Sequence, residues 1–378
     1  MRNDLSRVAN AIRAFENGEI IVVTDDDDRE NEGDLIVAAT HATAEKIAFI
    51  IRHTSGIVCT PMTTETAKRL HLEPMVANND APLSTAFTVS IDYRHGTTTG
   101  ISAEERCNTI RALTNSNVAA QDFVRPGHVF PLIARDGGVL MRSGHTEAAV
   151  DLCRLAGLPE IGVLSELVND DGTVKRGSQV TDFAQEHALQ SVSVAELIAW
   201  RQRNESLVEQ IDEFEIDTVA GRATAISFRT PYDPMDHLAV IFGDIRDGHA
   251  IPVRLHLESV VDDVFGGAPL LNKLITQMGS GSRGIIVYLR DGSVGVTAHS
   301  LRPRADLQSE DVDLQVAENE AHYSAQDREE EWREIGLGAQ ILKQLGVSSI
   351  RLLSTKERHY VGLDGFGIEI ESTELIDG

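Results

Sequence analysis

The order of apolar and polar residues predicts a strand and a helix around two polar segments in the first half of the chain. Residues 20–23 form a short apolar run that ends at Thr24, as in a buried strand. The apolar residues 139–141 predict a second strand, and the spacing of apolar positions in residues 148–155 predicts a helix. The polar residues that follow Thr24, and those between residues 141 and 148, therefore lie at strand ends, where α/β proteins often build their sites.

The same pattern divides the chain into two blocks. Residues 1–203 end in a helical segment that becomes polar, which predicts a linker, and residues 210–378 form the second block. Strand-like alternation begins again at residues 218–230 and 237–245. We predict an α/β fold (mixed α+β) with two domains, each a mixed sheet packed with helices. The acidic residues 305–334 predict a solvated segment, with a partner-binding tail as the alternative.

Composition narrows the classes of function. With 378 residues, 42% of them hydrophobic, the chain can bury two cores, and its formal net charge of −25 argues against binding nucleic acid through a basic face. No apolar run reaches the ~20 residues of a membrane span, and no signal peptide is apparent, so we expect a cytoplasmic protein without a membrane partner. Three widely spaced cysteines indicate neither a disulfide framework nor a cysteine-rich zinc site.

The segment TDDDDRENEGD, residues 24–34, gathers carboxylates immediately after the first predicted strand. Its simplest interpretation is a solvated acidic turn. Two features favour a site: Arg29 lies among the acids, and Gly33 permits a backbone conformation that brings the flanking carboxylates together. Clustered oxygen ligands suit Mg²⁺ or Mn²⁺, which makes a metal site plausible.

The segment RSGHT, residues 142–146, predicts a turn that enters a helix. A helix N-terminus offers backbone N–H groups to an anion, and Arg142 and Thr146 add a guanidinium and a hydroxyl, so this turn could hold a phosphate. His145 is either a structural residue or a ligand or acid/base.

Two further polar groups lie in apolar settings. His128 follows Pro126 and Gly127, and Glu166 interrupts an apolar run. For each of them a structural and a functional interpretation are equally open. Residues 95–106, which begin with a Thr- and Gly-rich loop, predict only a turn and a helix cap.

Taken together, five segments of the first block closely resemble 3,4-dihydroxy-2-butanone 4-phosphate synthase of riboflavin biosynthesis. They occur in the same order as in that family and read RENEGDLI, IRHTSGIVC, TTTGISAEER, RPGHVFPLIA and RSGHTEAAVDLCRLAGL. The resemblance implies a lyase that converts ribulose 5-phosphate to 3,4-dihydroxy-2-butanone 4-phosphate and formate with Mg²⁺ or Mn²⁺ and no organic cofactor. It also implies a homodimer, because the family builds its sites at a dimer interface.

The resemblance assigns roles residue by residue. Glu30 and His145 match the metal ligands, while His128 and Glu166 match residues needed for catalysis. The residues expected to contact substrate are Arg29, Glu30, Asp34 and Glu166, with Arg142, Ser143, Gly144, His145 and Thr146 at its phosphate end.

The second block resembles GTP cyclohydrolase II, but with altered chemistry. The positions of the family's three zinc-binding cysteines hold Ser259, Leu270 and Asn272, which cannot replace thiolates at a tetrahedral zinc site. The family's catalytic arginine segment reads 291–295 DGSVG here, and its TNNP-and-lysine segment reads 354–359 STKERH. We therefore expect no zinc in this domain and a structural or regulatory role.

Three hypotheses follow. The first is a metal-dependent synthase with a non-catalytic second domain, and its alternative is a bifunctional enzyme that also acts as GTP cyclohydrolase II. The third, a regulator that only binds metal or sugar phosphate, does not explain why the acid/base residues His128 and Glu166 are present.

Overall fold

The structure is a computed structural model that divides into two compact units, Met1–Arg201 and Gln202–Gly378. It describes residues 2–25, 30–81, 83, 85–205, 208–230, 233–267, 269–281, 283–290, 336–355 and 368–376. The acidic stretch 305–334 lies outside the described residues. Among the residues described, no helix combines the length and apolar character needed to cross a membrane.

The first unit is a seven-stranded mixed sheet with helices. Its strands are β1 Ile21–Thr24, β2 Gly33–Ala38, β3 Cys59–Met62, β4 Ile91–Tyr93, β5 Phe123–Ile133, β6 Gly162–Glu166 and β7 Ser191–Ser193. Its helices are α1 Arg2–Glu16, α2 Ala44–His53, α3 Thr64–Arg69, α4 Ala103–Leu113, α5 His145–Leu155, α6 Ser178–Glu186 and α7 Val194–Asn204, the last of which continues past the boundary between the units.

The strand order of this sheet is β4-β5-β3-β6-β2-β1-β7. Strands β1 and β2 pair antiparallel, with Thr24 opposite Gly33, so the acidic segment connects two neighbouring strands. Strand β6 pairs with β2 on its other side and places Glu166 opposite Asp34. The sheet therefore brings the two ends of the acidic segment beside the end of β6.

Two apolar clusters pack against this sheet. One contains Leu35 and Ile47, and the other contains Ile36 and Leu152. The adjacent residues Leu35 and Ile36 lie in different clusters because successive side chains of a strand point to opposite faces. The strands are thus covered on both faces, which explains why β2 is buried along its whole length.

The predicted strand at residues 139–141 is wrong. This segment forms a short 3₁₀ turn, Gly138–Leu140, because Gly137 and Gly138 adopt left-handed backbone conformations with φ of 95° and 66°. The carboxylate of Asp151 on α5 accepts the Val139 N–H at 2.8 Å, which ties the turn to the helix. The helix itself is confirmed, and so are the helix start after residues 95–102 and the predicted apolar run of β1.

The second unit contains another seven-stranded mixed sheet, which confirms the predicted fold class of two mixed sheets with helices. Its strands are β8 Glu209–Thr218, β9 Gly221–Thr230, β10 Asp233–Gly243, β11 Ile251–Leu257, β12 Arg283–Leu289, β13 Ser349–Ser354 and β14 Glu369–Leu375, in the order β14-β13-β11-β12-β10-β9-β8. Helix α8 spans Pro269–Ser280, and residues 336–344 are helical. The core includes Phe228, Val253 and Ile285, all fully buried.

Candidate active site

Asp25 shapes the acidic loop from within. Its carboxylate accepts the backbone N–H of Glu30 at 3.0 Å and that of Glu32 at 2.9 Å, and the residue is buried. Because one side chain holds two N–H groups across the loop, the end of the loop that enters β2 has a defined shape. Arg29 and Asp26 to Asp28 lie outside the described residues, so the predicted substrate contact of Arg29 stays a prediction.

The role expected of Gly33 is wrong. The left-handed conformation in this loop belongs to Asn31, with φ of 54°, while Gly33 is an ordinary strand residue. Gly33 is required for packing instead, because a Cβ built there would overlap Cγ1 of Val180 on α6. Asparagine tolerates the left-handed region better than most residues, which explains why the turn can form at position 31.

Asp25, Glu30 and His145 form a group that could hold a metal ion. One ligand atom from each lies within 4.8 Å of the others. Two carboxylates and an imidazole suit Mn²⁺ and are compatible with Mg²⁺, which prefers oxygen ligands. The chain therefore brings together both predicted ligands, Glu30 and His145, and adds Asp25, which the sequence left without a role.

The surroundings of Asp34 strongly shift the pKa of its carboxyl group. Burial raises the pKa of its carboxyl well above its usual value, and the nearby carboxylates of Glu166, Glu30, Asp25 and Glu32 raise it further. Burial disfavours the charged form, and neighbouring negative charges disfavour it again. A cation bound among these carboxylates would offset the repulsion between them, which is consistent with the possible metal site of Asp25, Glu30 and His145.

The turn before α5 positions Arg142. Its guanidinium donates to Glu147 Oε2 at 2.6 Å and to the carbonyl of Leu83 at 3.1 Å, and the Glu147 side chain is 1% exposed. Gly144, the residue before the helix, packs so closely on Arg142 that a Cβ there would overlap Nη1. The buried Glu147 therefore fixes the arginine at the start of the helix, where an anion is favoured.

These groups share one cavity. Of the residues predicted for the site, those that line it are Glu30, Asp34, Arg142, His145, Thr146 and Glu166. Its other lining residues are Glu32, Cys59, Thr85, Phe87, Leu132 and Leu164. Ser143 and Gly144 belong to the adjoining turn rather than to the cavity lining. Carboxylates together with an arginine at a helix N-terminus suit a ligand with a metal-chelating end and an anionic end.

His128 lies elsewhere on the same sheet and does not line this cavity. It lies on β5, four residues before the lining residue Leu132, which at ~3.3 Å per residue is roughly 13 Å of strand. The pairing of β4 with β5 shifts at this point, since Ile91 pairs with Val129 and Asp92 with Val124. The His128 side chain is 40% exposed and bonds through Nδ1 to Asp92 Oδ2 at 2.7 Å.

The sequence did not reveal the residues that orient the predicted site residues through hydrogen bonds. Ser55, in the turn between α2 and β3, donates its hydroxyl to Glu166 Oε2 at 3.0 Å and its N–H to the Glu166 carbonyl at 2.8 Å. Asp92 holds His128, and Glu147 holds Arg142. Ser55 and Asp92 come from other elements than their partners, so no local spacing in the sequence could reveal them.

The second unit has no thiol at the three positions compared with zinc ligands. The N–H of Ser259 donates to Asp263 Oδ2 at 3.0 Å. Leu270 packs in an apolar cluster, and the Asn272 amide donates to the Gly267 carbonyl at 3.0 Å. Residues 291–295 and 356–359, from the other altered segments, lie outside the described residues.

Comparison with family models matches both units of the chain. Residues 9–200 match the model of 3,4-dihydroxy-2-butanone 4-phosphate synthase, and residues 209–375 match the model of GTP cyclohydrolase II. The first match contains every residue of the candidate site described above.

Similar curated proteins span both units. The chain is 44% identical over 374 residues to the bifunctional riboflavin biosynthesis protein RIBA 1, chloroplastic, of Arabidopsis thaliana, covering 97% of this chain and 68% of that protein. It is 43% identical over 375 residues to the monofunctional riboflavin biosynthesis protein RIBA 2, chloroplastic, of the same plant, covering 96% of this chain and 75% of that protein. Similar relatives therefore carry both descriptions, bifunctional and monofunctional.

Two solved structures extend the comparison. RibBX of A. baumannii, described as a two-domain 3,4-dihydroxy-2-butanone 4-phosphate synthase, aligns with a TM-score of 0.78 at 35% identity, covering 98% of this chain and 100% of that chain. A 3,4-dihydroxy-2-butanone 4-phosphate synthase in complex with two magnesium ions aligns with a TM-score of 0.51 at 44% identity, covering 52% of this chain and 97% of that chain. The chain belongs to the 3,4-dihydroxy-2-butanone 4-phosphate synthase family, enzymes of riboflavin biosynthesis, and carries that domain fused to a GTP cyclohydrolase II domain.

Proposed function

We propose that the chain is a metal-dependent lyase that converts ribulose 5-phosphate to 3,4-dihydroxy-2-butanone 4-phosphate and formate, and that its second domain does not hydrolyse GTP. The observation that carries the first part is the shared cavity, where Glu30 and His145 of the possible metal-ligand group lie together with Arg142 and Thr146 at a helix N-terminus. A sugar phosphate has both ends that such a cavity requires.

The residues present fit a divalent metal, and each residue around the cavity has a role in the proposed reaction. Glu30 and His145, with Asp25, would hold the metal, which when bound stabilises negative charge on adjacent substrate oxygens. Arg142, fixed by its ion pair with Glu147 on α5, binds the phosphate and so positions the sugar. Glu166, at the end of β6, moves protons at the substrate carbons as an acid/base.

His128 supplies a second acid/base group in this proposal. Since it does not line the cavity, we assign it to the cavity of a second copy in a homodimer. Its exposed side chain is available for such a contact, and a site shared across a two-fold axis occurs twice in the dimer.

The proposed inactivity of the second domain rests on its ligands. All three cysteines of the chain lie at or before residue 153, so the second domain has no thiol for a zinc ion. A hydroxyl, an aliphatic side chain and an amide at positions 259, 270 and 272 are unsuited to tetrahedral zinc.

The second candidate function is a bifunctional enzyme that also acts as GTP cyclohydrolase II. The family match at residues 209–375 and the bifunctional relative of Arabidopsis favour it. This candidate requires a second site that works without cysteine ligands, since the second domain contains none.

Formate release tests both parts. The purified chain is offered ribulose 5-phosphate with Mg²⁺ or Mn²⁺, and separately GTP with Zn²⁺, because both reactions liberate formate. We expect formate from the sugar phosphate alone. Formate from GTP would overturn the inactivity of the second domain, and absence of formate from the reaction with ribulose 5-phosphate would overturn the proposed lyase.

A matched variant separates the two sites. Glu166→Gln keeps the size of the side chain and removes its charge, so formate release from ribulose 5-phosphate should fall by about 10²–10⁴-fold. Any formate from GTP should be unchanged, because Glu166 belongs to the first unit. Equal loss of both activities in this variant would show that one site performs them.

A further inference from the structure

We infer that Asp92 is a positioning residue that fixes the tautomer of His128, leaving Nε2 as its proton acceptor. The inference deepens the proposed function and rests on it, since His128 acts as an acid/base only if the chain is a lyase. Nothing in the local sequence around His128 points to Asp92, which lies on the neighbouring strand β4.

Both carboxylate oxygens of Asp92 contact His128. Asp92 Oδ1 accepts the backbone N–H of His128 at 2.9 Å, and Oδ2 lies 2.7 Å from His128 Nδ1. A carboxylate that already accepts a hydrogen bond with one oxygen acts as an acceptor with the other, so Nδ1 carries the proton. The neutral ring then has its lone pair on Nε2, at the far side of the imidazole from Asp92.

The surroundings hold the carboxylate of Asp92 in place. Asp92 is 4% exposed, whereas the His128 side chain is 40% exposed, so the pair has a buried end and an open end. The buried guanidinium of Arg106, on α4, interacts electrostatically with Asp92. A fixed carboxylate behind an exposed imidazole is the arrangement that orients a histidine for proton transfer.

Gly100 closes the pocket around the pair. Its φ is +88°, and a Cβ built there would overlap Asp92 Oδ2 and lie 2.8 Å from His128 Nδ1. The Thr- and Gly-rich loop before α4 thus packs its backbone directly on the hydrogen bond. This contact gives a role to the segment TTTGIS, for which the sequence predicted only a turn with a helix cap.

The decisive measurement is the tautomer of His128 in the full-length protein. Long-range ¹H–¹⁵N NMR spectra of imidazole rings distinguish the two neutral tautomers, and His128→Gln identifies its signal among the 13 histidines. We expect the Nδ1–H form in the unsubstituted protein at a pH where the ring is neutral. The Nε2–H form would overturn the inference without any further variant, and independently of whether the protein releases formate.

The kinetics of formate release test what the orientation of His128 contributes to the reaction. Asp92→Asn can accept the backbone N–H with its oxygen but then turns its NH₂ group toward Nδ1, which inverts the tautomer. In the serine protease triad the equivalent change lowers kcat by ~10⁴, and we expect a fall on the order of 10²–10⁴-fold here with KM changed less than about threefold. Retention of kcat within about twofold would overturn the inference.

Two controls separate positioning from general damage. Asp122→Asn makes the same change at the partner of another histidine, His95, whose Nε2 lies 3.0 Å from Asp122 Oδ1, and should leave both kcat and the His128 signal unchanged. In the His128→Gln background, Asp92→Asn should cause no further loss of kcat, because a positioning residue acts only through the group it holds. A further loss of more than about tenfold would assign Asp92 a separate structural role and overturn the inference.

Discussion

At the scale of single residues, the hydrogen bond between Ser55 and Glu166 can be tested directly. Its hydroxyl is 3.0 Å from Glu166 Oε2, so Ser55→Ala should free that carboxylate to rotate. We expect kcat for formate release to fall about tenfold and the free energy of unfolding by about 1 kcal/mol. Ser55→Thr, which retains a hydroxyl, is the control and should recover most of the activity. Equal kcat in Ser55→Ala and the unsubstituted protein would show that Glu166 needs no such partner.

The close packing of Gly100 on Asp92 and His128 leads to a steric prediction. Gly100→Ala should displace Asp92 and His128, since the added Cβ would overlap Asp92 Oδ2, and we expect kcat to fall more than about tenfold. Gly96→Ala is a matched control in the same loop, with a φ of +74° and no atom within 4 Å of the added Cβ. It should show only the backbone strain of about 1–2 kcal/mol in thermal unfolding. Similar kcat values for the two variants would exclude the steric explanation.

The buried pair Asp151 and Arg201 makes a prediction about stability. Arg201 Nη1 lies 2.8 Å from Asp151 Oδ2, and both side chains are at most 1% exposed. Burial raises the pKa of Asp151 to about 6, although Arg201 opposes that shift. Asp151→Asn leaves the arginine charge buried without this counter-ion, so we expect urea unfolding to show a loss of about 3–5 kcal/mol.

The control for this pair removes both charges. Asp151→Asn combined with Arg201→Met should be more stable than Asp151→Asn alone, because the pair then leaves no uncompensated charge buried. If the double variant is the less stable of the two, the packing of the arginine stem rather than its charge stabilises this part of the unit.

The residues that sequence could predict are those within recognisable segments. Glu30, His145 and Arg142 lie in motifs, and the cavity brings them together. Asp92 could not be predicted, and neither could the role of Ser55, although Ser55 lies in the recognised segment IRHTSGIVC. Each reaches its partner through strand pairing or a turn that forms only in the folded chain. The glycine of the acidic loop was misinterpreted for a related reason, since its closest neighbour in space lies on α6 and no local pattern reports that contact.

At the scale of elements, helix α2 and the end of α6 meet through two histidines. The ring centroids of His53 and His187 are 5.0 Å apart, and Phe49 and Phe183 pack on them. Burial lowers the pKa of His53, and His187 and then Arg52 lower it further. The folded protein therefore takes up a proton at His53 less readily than the unfolded chain does.

The sign of the pH dependence follows. The contribution of this contact is complete above the ordinary histidine pKa of 6.5 and is lost as the pH falls below it. We expect the free energy of unfolding to fall between about pH 7.5 and 5.5, and to fall less in His53→Gln. His71→Gln, at an exposed position, is the control and should follow the unsubstituted protein. An identical pH dependence in His53→Gln would assign the loss to other groups.

Helices and strands with a regular spacing of apolar residues were predicted well. Segments whose structure depends on contacts with residues distant in the sequence were not. Helix α5 follows the apolar spacing of residues 148–155. The adjoining apolar residues 139–141 resemble a strand, but two left-handed glycines and the Asp151 carboxylate impose a turn on them. Short apolar runs suit either structure, so tertiary hydrogen bonds decide between them.

At the scale of the whole molecule, the proposed sharing of sites predicts complementation. His128→Gln and Glu166→Gln should each retain no more than about 1% of the formate release when tested alone. After the two are unfolded together and refolded, about half of the dimers pair the two variants, and one of the two sites in each such dimer has both residues, so about a quarter of the sites should be active. Formate release measured before and after mixing checks this. Failure to recover activity would place His128 and Glu166 in the cavity of the same subunit.

The three cysteines, all buried, have a practical consequence for such experiments. Cys59, Cys107 and Cys153 are at most 5% exposed, and burial raises the pKa of each thiol, so each is poorly reactive toward alkylating reagents. A single cysteine introduced at an exposed residue such as Val219, which is 73% exposed, would then be the preferred site for a maleimide dye. One fluorophore on the second domain would report whether that domain responds to ligands that bind the first.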